Sequence, residues 1–477
     1  MPIILRRKRS GVTCTFVQLS ATPGQHDHAG HPPPPGLRML LSLLGLIGGL
    51  ALLIVLTIRG MNLFIATPLC ALLVALTSDL ALLPPLAAEG APNLLTAYMG
   101  GFTGFIASWF FMFLLGSLFG KLMEDSGAAD AIAAWVLQRI GAQRAALAVV
   151  AACAILTYGG VSLFVVAFSV YPTALALFRE ANLPRRFIPA TLAFGSVTFT
   201  MTSAGSPEIQ NWIPIQYLGT SPWAAWEASL VVAVFMAASG YAWLVWMLRR
   251  AAARGEHFEA REGDHAAVAR EQLPHPGLAL IGPLAVLVVS FVWHDALQTS
   301  ALILALLAGC GGVALSCGRH FQVPSKAIAE GSTGALIAIG NTAAVVGFGA
   351  VAKLSPAFTL AVDAITHMPG SGVASAALAV SVIAAMTGSA SGGQAIALPI
   401  LAPVFLAQGV PPDQLHRAVA ISSGVLDSLP HNGYVVTTIR AICGETHRDA
   451  YAPMGALTVI VPGLGLLLCL GLFALGL

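Results

Sequence analysis

The sequence predicts an all-α polytopic membrane protein, with about 12–14 transmembrane segments arranged as two inverted repeats containing re-entrant helical hairpins and interrupted helices. Three observations carry this. First, 57% of the 477 residues are hydrophobic and 9% are charged, with a mean hydropathy of +0.82. Soluble domains carry about 25% charged residues, so a soluble core has no room for this much apolar surface. Second, apolar stretches of about 20 residues, the length that crosses a bilayer, recur along the chain. Third, glycine, proline and polar residues interrupt several of these stretches, and the interruptions return in the same order in the second half.

The first 36 residues run basic, then polar, then proline-rich. They lack the apolar core of a signal peptide. The expectation is a disordered tail, or text ahead of a start at Met39, with His26, Asp27, His28 and His31 solvated rather than metal-bound. Spans are expected at roughly 39–58, 61–83, 101–122, 143–157, 161–178, 187–203, 223–248, 276–293, 298–317, 332–352, 372–387, 394–408, 418–440 and 452–477. Residues 128–140 and 356–367 read as short interfacial helices. The polar segment 249–275 separates a first membrane repeat, 37–248, from a second, 276–477. Its Arg249, Arg250, Arg254, Arg261 and Arg270 favour a cytoplasmic loop by the positive-inside rule. The seven cysteines are scattered through mostly apolar text without zinc spacing, so no metal and no cofactor are expected. A net charge of +2 without a basic stripe gives no sign of nucleic acid as a partner.

The halves echo each other. LFGKLMEDSGAADAIAAWV (118–136) resembles AVAKLSPAFTLAVDAI (350–365). LTYGGVSLFVVAFSVYPTALALFRE (156–180) aligns with MTGSASGGQAIALPILAPVFLAQ (386–408), placing Pro172 opposite Pro399. FGSVTFTMTSAGSPEIQN (194–211) parallels SGVLDSLPHNG (423–433) across a gap. Three matches in one order indicate duplication, and an odd number of crossings per half inverts the copies.

Four polar breaks follow from this pairing. Thr387, Gly388, Ser389, Ser391, Gly392 and Gly393 lie between two apolar flanks too short to span, and read as the tip of a helical hairpin. The helix after the tip offers free N–H groups and partial positive charge, which suit a carboxylate. Thr157, Gly159, Gly160 and Ser162 form the matching tip in the first half. In the third break Gly205 and Pro207 end a helix, and Ser206, Glu208, Gln210 and Asn211 are placed to line a cavity. The fourth contains Asp427, His431 and Asn432 within the stretch 418–440. A carboxylate and an imidazole at bilayer depth cost several kcal/mol unless they face protein or water. At i and i+4 they would share one face of an unbroken helix. Both are proton acceptors, so they are the expected proton-coupling pair, and Asn432 joins the substrate set.

The resulting reading is a secondary carrier whose partners are a small organic anion, the lipid bilayer and a coupling proton. Sodium is the alternative ion, because unwound carbonyls and serines ligate it too. No arginine is expected deep in a span, which leaves the anion to helix ends, hydroxyls and Lys121 or Lys353. An enzyme is not expected. H-E-x-x-H is absent, and an intramembrane hydrolase using Ser389 or Ser391 with His431 would need no duplicated breaks.

Across 40–477 the chain resembles the gluconate permease (GntP) family of the ion transporter superfamily. The resemblance rests on FGKLMEDSGAA (119–129), YGGVSLFVVAFSVYPTALALFREANLPRR (158–186), TFTMTSAGSPEIQN (198–211), TGSASGG (387–393), ISSGVLDSLPHNG (421–433) and GETHRDAY (444–451). It implies import of gluconate or related small hydroxy- or keto-acids with protons. It also implies paired inverted repeats with hairpins, a homodimer and a bacterial inner membrane. SASGG in the second tip resembles the hydroxybutyrate-type branch.

Overall fold

The structure is a computed structural model that describes residues 35–141, 144–261, 272–366, 368 and 371–477. The expected tail over 1–36 falls almost wholly outside these residues, as do its His26, Asp27, His28 and His31. The described chain is helical, without a β-strand. Nine of its helices are long and apolar enough to cross a membrane, so this is a multi-pass membrane protein.

In order, the first half forms α1 (Pro35–Ile58), α2 (Leu63–Thr77), α3 (Leu94–Asp125), α4 (Ala128–Ile140), α5 (Ala145–Tyr158), α6 (Leu163–Glu180), α7 (Ile188–Ala193), α8 (Ile213–Leu218) and α9 (Trp226–Ala253). After the linker come α10 (Pro276–Ala279), α11 (Ile281–Leu297), α12 (Ser300–Cys317), α13 (Pro324–Ala352), α14 (Pro356–Thr366), α15 (Gly372–Thr387), α16 (Ala390–Ala407), α17 (Pro412–Ser423), α18 (Gly433–Val436), α19 (His447–Gly455) and α20 (Val461–Ala474). Local chemistry sets several starts. Asn62 accepts from the Phe64 N–H, Asn93 from Thr96 and Thr446 from Asp449, each capping the helix that follows.

Packing repeats between the halves. The helix pairs α1–α2 and α11–α12 are matched, as are the hairpins α5–α6 and α15–α16. Helix α2 packs on α13, and reciprocally α12 packs on α3, while α3 and α13 pack together at the centre. Their contact is close because both sides use glycine. A Cβ on Gly101 would sit 2.7 Å from the Ala350 Cβ, and one on Gly347 2.9 Å from the Tyr98 carbonyl. Helices α4 and α14, with 13 and 11 residues, are too short to cross. A hairpin adds an even number of passes. The helices α1–α3 or α11–α13, one broken helix and a closing helix remain in each half, an odd number, so the second copy is inverted relative to the first.

The expected single span 418–440 is instead two short helical pieces. Helix α17 stops at Ser423, and α18 with a π-turn over Thr437–Ile442 begins only at Gly433. The corresponding first-half segment is helix α7 and a π-turn over Phe194–Thr198. It ends before Gly205 and Pro207, the expected terminators. The Thr200 hydroxyl bonds the Gly195 and Ser196 carbonyls at 3.1 and 2.6 Å and closes that end early.

The start of the linker is strapped across both halves. Arg186 pairs with Glu256 at 2.7 Å, and the buried Glu445 takes Arg185 at 2.8 Å and Arg261 at 3.0 Å. Arginines 185, 186 and 261 therefore lie on one side of the molecule.

Candidate functional site

The four polar breaks meet. The first tip touches the first break: the Tyr158 hydroxyl donates to the Ala204 carbonyl, and a Cβ on Gly160 would lie 3.6 Å from the Pro207 ring. The first break touches the hairpin after the second tip, where Gln394 Nε2 donates to the Gln210 carbonyl at 2.9 Å. The second tip touches the second break. Asn432 Nδ2 donates to the Gly388 carbonyl at 2.9 Å, and His431 Nε2 lies 3.0 Å from the Ala385 carbonyl. The second break returns to the first hairpin, with the Phe164 and Tyr434 rings edge-on at 5.5 Å. Tips and breaks alternate around one centre.

At the second tip the chain turns on Gly388, whose φ of +58° is left-handed. Ser389 caps α16 by accepting from the Gly392 N–H at 3.1 Å. The helix therefore starts at Ala390, and Ser391, Gly392 and Gly393 belong to its first turns rather than to a loop. The Thr387 hydroxyl is turned inward to the Ala384 and Ser389 carbonyls. The Ser391 hydroxyl lies 3.4 Å from that of Ser389. Gly393 lets the two arms touch, since a Cβ there would be 2.7 Å from the Ala384 Cα. Gly393→Ala should spread the hairpin at a cost of about 1–3 kcal/mol. It is expected to lower the melting temperature in detergent and cut uptake; a variant matching wild type in both removes the packing argument.

At the first tip Thr157 is buried and its hydroxyl has no partner among the described residues, while Gly159 and Gly160 (φ +87°) form the turn. Ser162 begins α6 without a side-chain cap. In the first break the Ser206 carbonyl accepts from Asn211 Nδ2 and from the Trp212 indole, both at 3.0 Å. Ser206 Oγ accepts from the Glu208 N–H at 3.3 Å. The Glu208 carboxylate is half-buried and makes no hydrogen bond or ion pair among the described residues. Asn211 is engaged on both sides of its amide: Nδ2 also donates to the Pro222 carbonyl, and Oδ1 accepts from Arg417. It holds the break in shape instead of facing a cavity.

Asp427 and His431 do not share a helix face, because both lie in the non-helical stretch between α17 and α18. Asp427 is 6% exposed and accepts from the Ser428 hydroxyl at 2.9 Å. His431 is aimed at the second tip, and no ion pair joins the two among the described residues. Of the expected counter-charges, Lys121 is taken by Glu124 at 2.9 Å and Glu330 at 3.4 Å. Lys353 sits at the C-terminal end of α13.

Two buried residues in the ring escaped the sequence reading. Gln394 is one of them, fully buried in α16. Arg417, just ahead of the expected span 418–440, is the other: it is fully buried in α17. It donates to the Thr202 carbonyl (2.6 Å), Asn211 Oδ1 (2.9 Å), the Pro222 carbonyl (3.2 Å) and, twice, the Ala224 carbonyl (3.0 and 3.1 Å). All five N–H donors are used on neutral oxygens.

Paired hairpins whose tips meet two broken helices inside a membrane-spanning all-α fold define a membrane transporter. Residues 40–239 match the family model of the GntP family permeases. Over 463 residues the chain is 34% identical to the uncharacterized transporter YxjC of Bacillus subtilis (strain 168), spanning 88% of this chain and 96% of that one. The chain belongs to the GntP permease family. Among solved structures it is similar to the YdaH transporter of Alcanivorax borkumensis, whose crystal structure is described as revealing an unusual topology. The TM-score is 0.55 at 17% identity, covering 92% of this chain and 99% of that one, a likeness that shows the fold alone.

Proposed function

We propose that this transporter is a proton-coupled symporter of a small monocarboxylate, a 3-hydroxybutyrate-like hydroxy- or keto-acid or a gluconate-like sugar acid. It works in the bacterial inner membrane, with the linker side cytoplasmic. The observation that carries the reading is the ring of two tips and two breaks. It concentrates helix N-termini, serine hydroxyls and unpaired buried acceptors around one point, with a buried carboxylate, Asp427, whose one side-chain partner among the described residues is a hydroxyl. The α16 N-terminus and Ser391 are suited to the substrate carboxylate. Arg417 spends all five N–H donors on protein oxygens, so it adds positive potential without donating to the anion. The resemblance of SASGG at 389–393 to the hydroxybutyrate-type branch supports a short hydroxy acid over a sugar acid. Arginines 185, 186 and 261 gathered on the linker side favour that side as cytoplasmic.

The test is uptake of labelled 3-hydroxybutyrate into proteoliposomes under an inward proton gradient, with unlabelled gluconate as competitor. Gradient-driven uptake that gluconate leaves intact is expected. Uptake blocked by gluconate moves the substrate to sugar acids, and uptake that follows sodium while ignoring pH overturns the coupling ion.

A further inference from the structure

We infer that Gln394 reads a hydroxyl group on the substrate. The inference rests on the carboxylate-transport reading above and deepens it. Gln394 is fully buried. Its Nε2 donates to the Gln210 carbonyl at 2.9 Å and to Ser423 Oγ at 3.1 Å. A carbonyl oxygen only accepts, so the orientation of the amide is fixed: the nitrogen faces Gln210, both its hydrogens are spent, and the oxygen faces elsewhere. That oxygen is buried without a donor among the described residues. Buried acceptors left open are uncommon, and one at the meeting point of a tip and two breaks is a place for a ligand to complete.

Position says which part of a ligand. Gln394 follows Ser391 by three residues on α16, so the two share a face and are separated by about 4.5 Å along the axis. A carboxylate held at the tip by Ser391 and the helix N-terminus places an oxygen two carbons away beside the Gln394 amide. A hydroxyl there donates to Oε1. A ketone there sets two acceptors against each other, and a methylene leaves Oε1 as it is. The site therefore prefers a 3-hydroxy acid to its keto and deoxy counterparts. Sites built to bond a hydroxyl discriminate far more sharply than apolar pockets do.

The experiment compares 3-hydroxybutyrate, acetoacetate and butyrate as substrates in proteoliposomes holding wild type, Gln394→Met or Ser423→Ala, with detergent melting curves to confirm folding. Wild type should favour the hydroxy acid by at least about tenfold, and Gln394→Met should bring the three to within about threefold while still carrying butyrate. Ser423→Ala removes one partner of the amide without adding bulk and should weaken discrimination in a folded protein. Equal uptake of all three by wild type overturns the proposal and leaves the carboxylate reading standing. So does discrimination that survives in either folded variant. Uptake of gluconate alone, with none of the three short acids carried, overturns this proposal and leaves the carboxylate reading standing. No uptake of any of these acids by wild type overturns both readings.

Discussion

Arg417→Met is expected to abolish both the folded protein and its transport. The guanidinium ties α17 of the second half to the Thr202 and Pro222–Ala224 carbonyls and Asn211 of the first. Methionine is close in volume but leaves three buried acceptors, the Thr202 and Ala224 carbonyls and Asn211 Oδ1, without this donor, at about 1–3 kcal/mol each; the Pro222 carbonyl keeps the Gly205 N–H and Asn211 Nδ2. That is comparable to the whole stability of a typical fold, about 5–15 kcal/mol. Arg417→Lys keeps the charge with three donors on a compact head, and it cannot span a set of acceptors that fits a planar fork. It should give protein that elutes as a single species in detergent, melts lower and transports poorly. Size-exclusion profiles, melting curves and uptake read all three states. Arg417→Met protein that is monodisperse, melts as wild type and transports would show that the loop from 202 to 224 holds itself.

Why the sequence hid this residue is a matter of context. The membrane architecture and the four breaks were legible, because spanning length, glycine pairs and polar residues in apolar text follow from backbone physics alone. Arg417 stands beside Asp413 and His416 in PDQLHRAVAISS, polar text that reads as a helix end at the membrane surface. Only the fold shows that α17 is buried against α15 and α20, and that carbonyls freed by a broken helix 200 residues earlier in the chain need donors there. The expected Asp427–His431 face failed for a similar reason. The i, i+4 spacing was read on a helix, and Pro430 sits in a segment that has none. Gln394 carries one signal that sequence alone exposes, a lone amide directly after SASGG, the fifth residue of α16. Its open oxygen depends on where Gln210 and Ser423 fall in space.

Asp427→Asn is expected to uncouple transport while leaving carrier exchange intact. In the structure the Asp427 carboxylate is buried and bonded to one side-chain hydroxyl, that of Ser428. Ionised, it leaves a poorly solvated negative charge beside the site for an anion. Protonated, it is neutral, and a monoanion can enter the ring without like-charge repulsion. Binding of the proton thus favours binding of the substrate, and uptake should rise as the outside pH falls. One pH unit is worth about 1.4 kcal/mol, so a one-unit inward gradient supports about tenfold accumulation of a species carried with one proton. Asparagine imitates the protonated form permanently. The variant should therefore equilibrate substrate and show counterflow at near wild-type rates, yet accumulate none when a pH gradient is imposed. His431 supplies the contrast. Its Nε2 reaches the Ala385 carbonyl at the second tip, so His431→Ala should disorder the tip and depress counterflow and accumulation together. Gradient-driven accumulation persisting in Asp427→Asn would remove Asp427 as the proton carrier. A His431→Ala variant that loses accumulation alone would transfer that role to the imidazole.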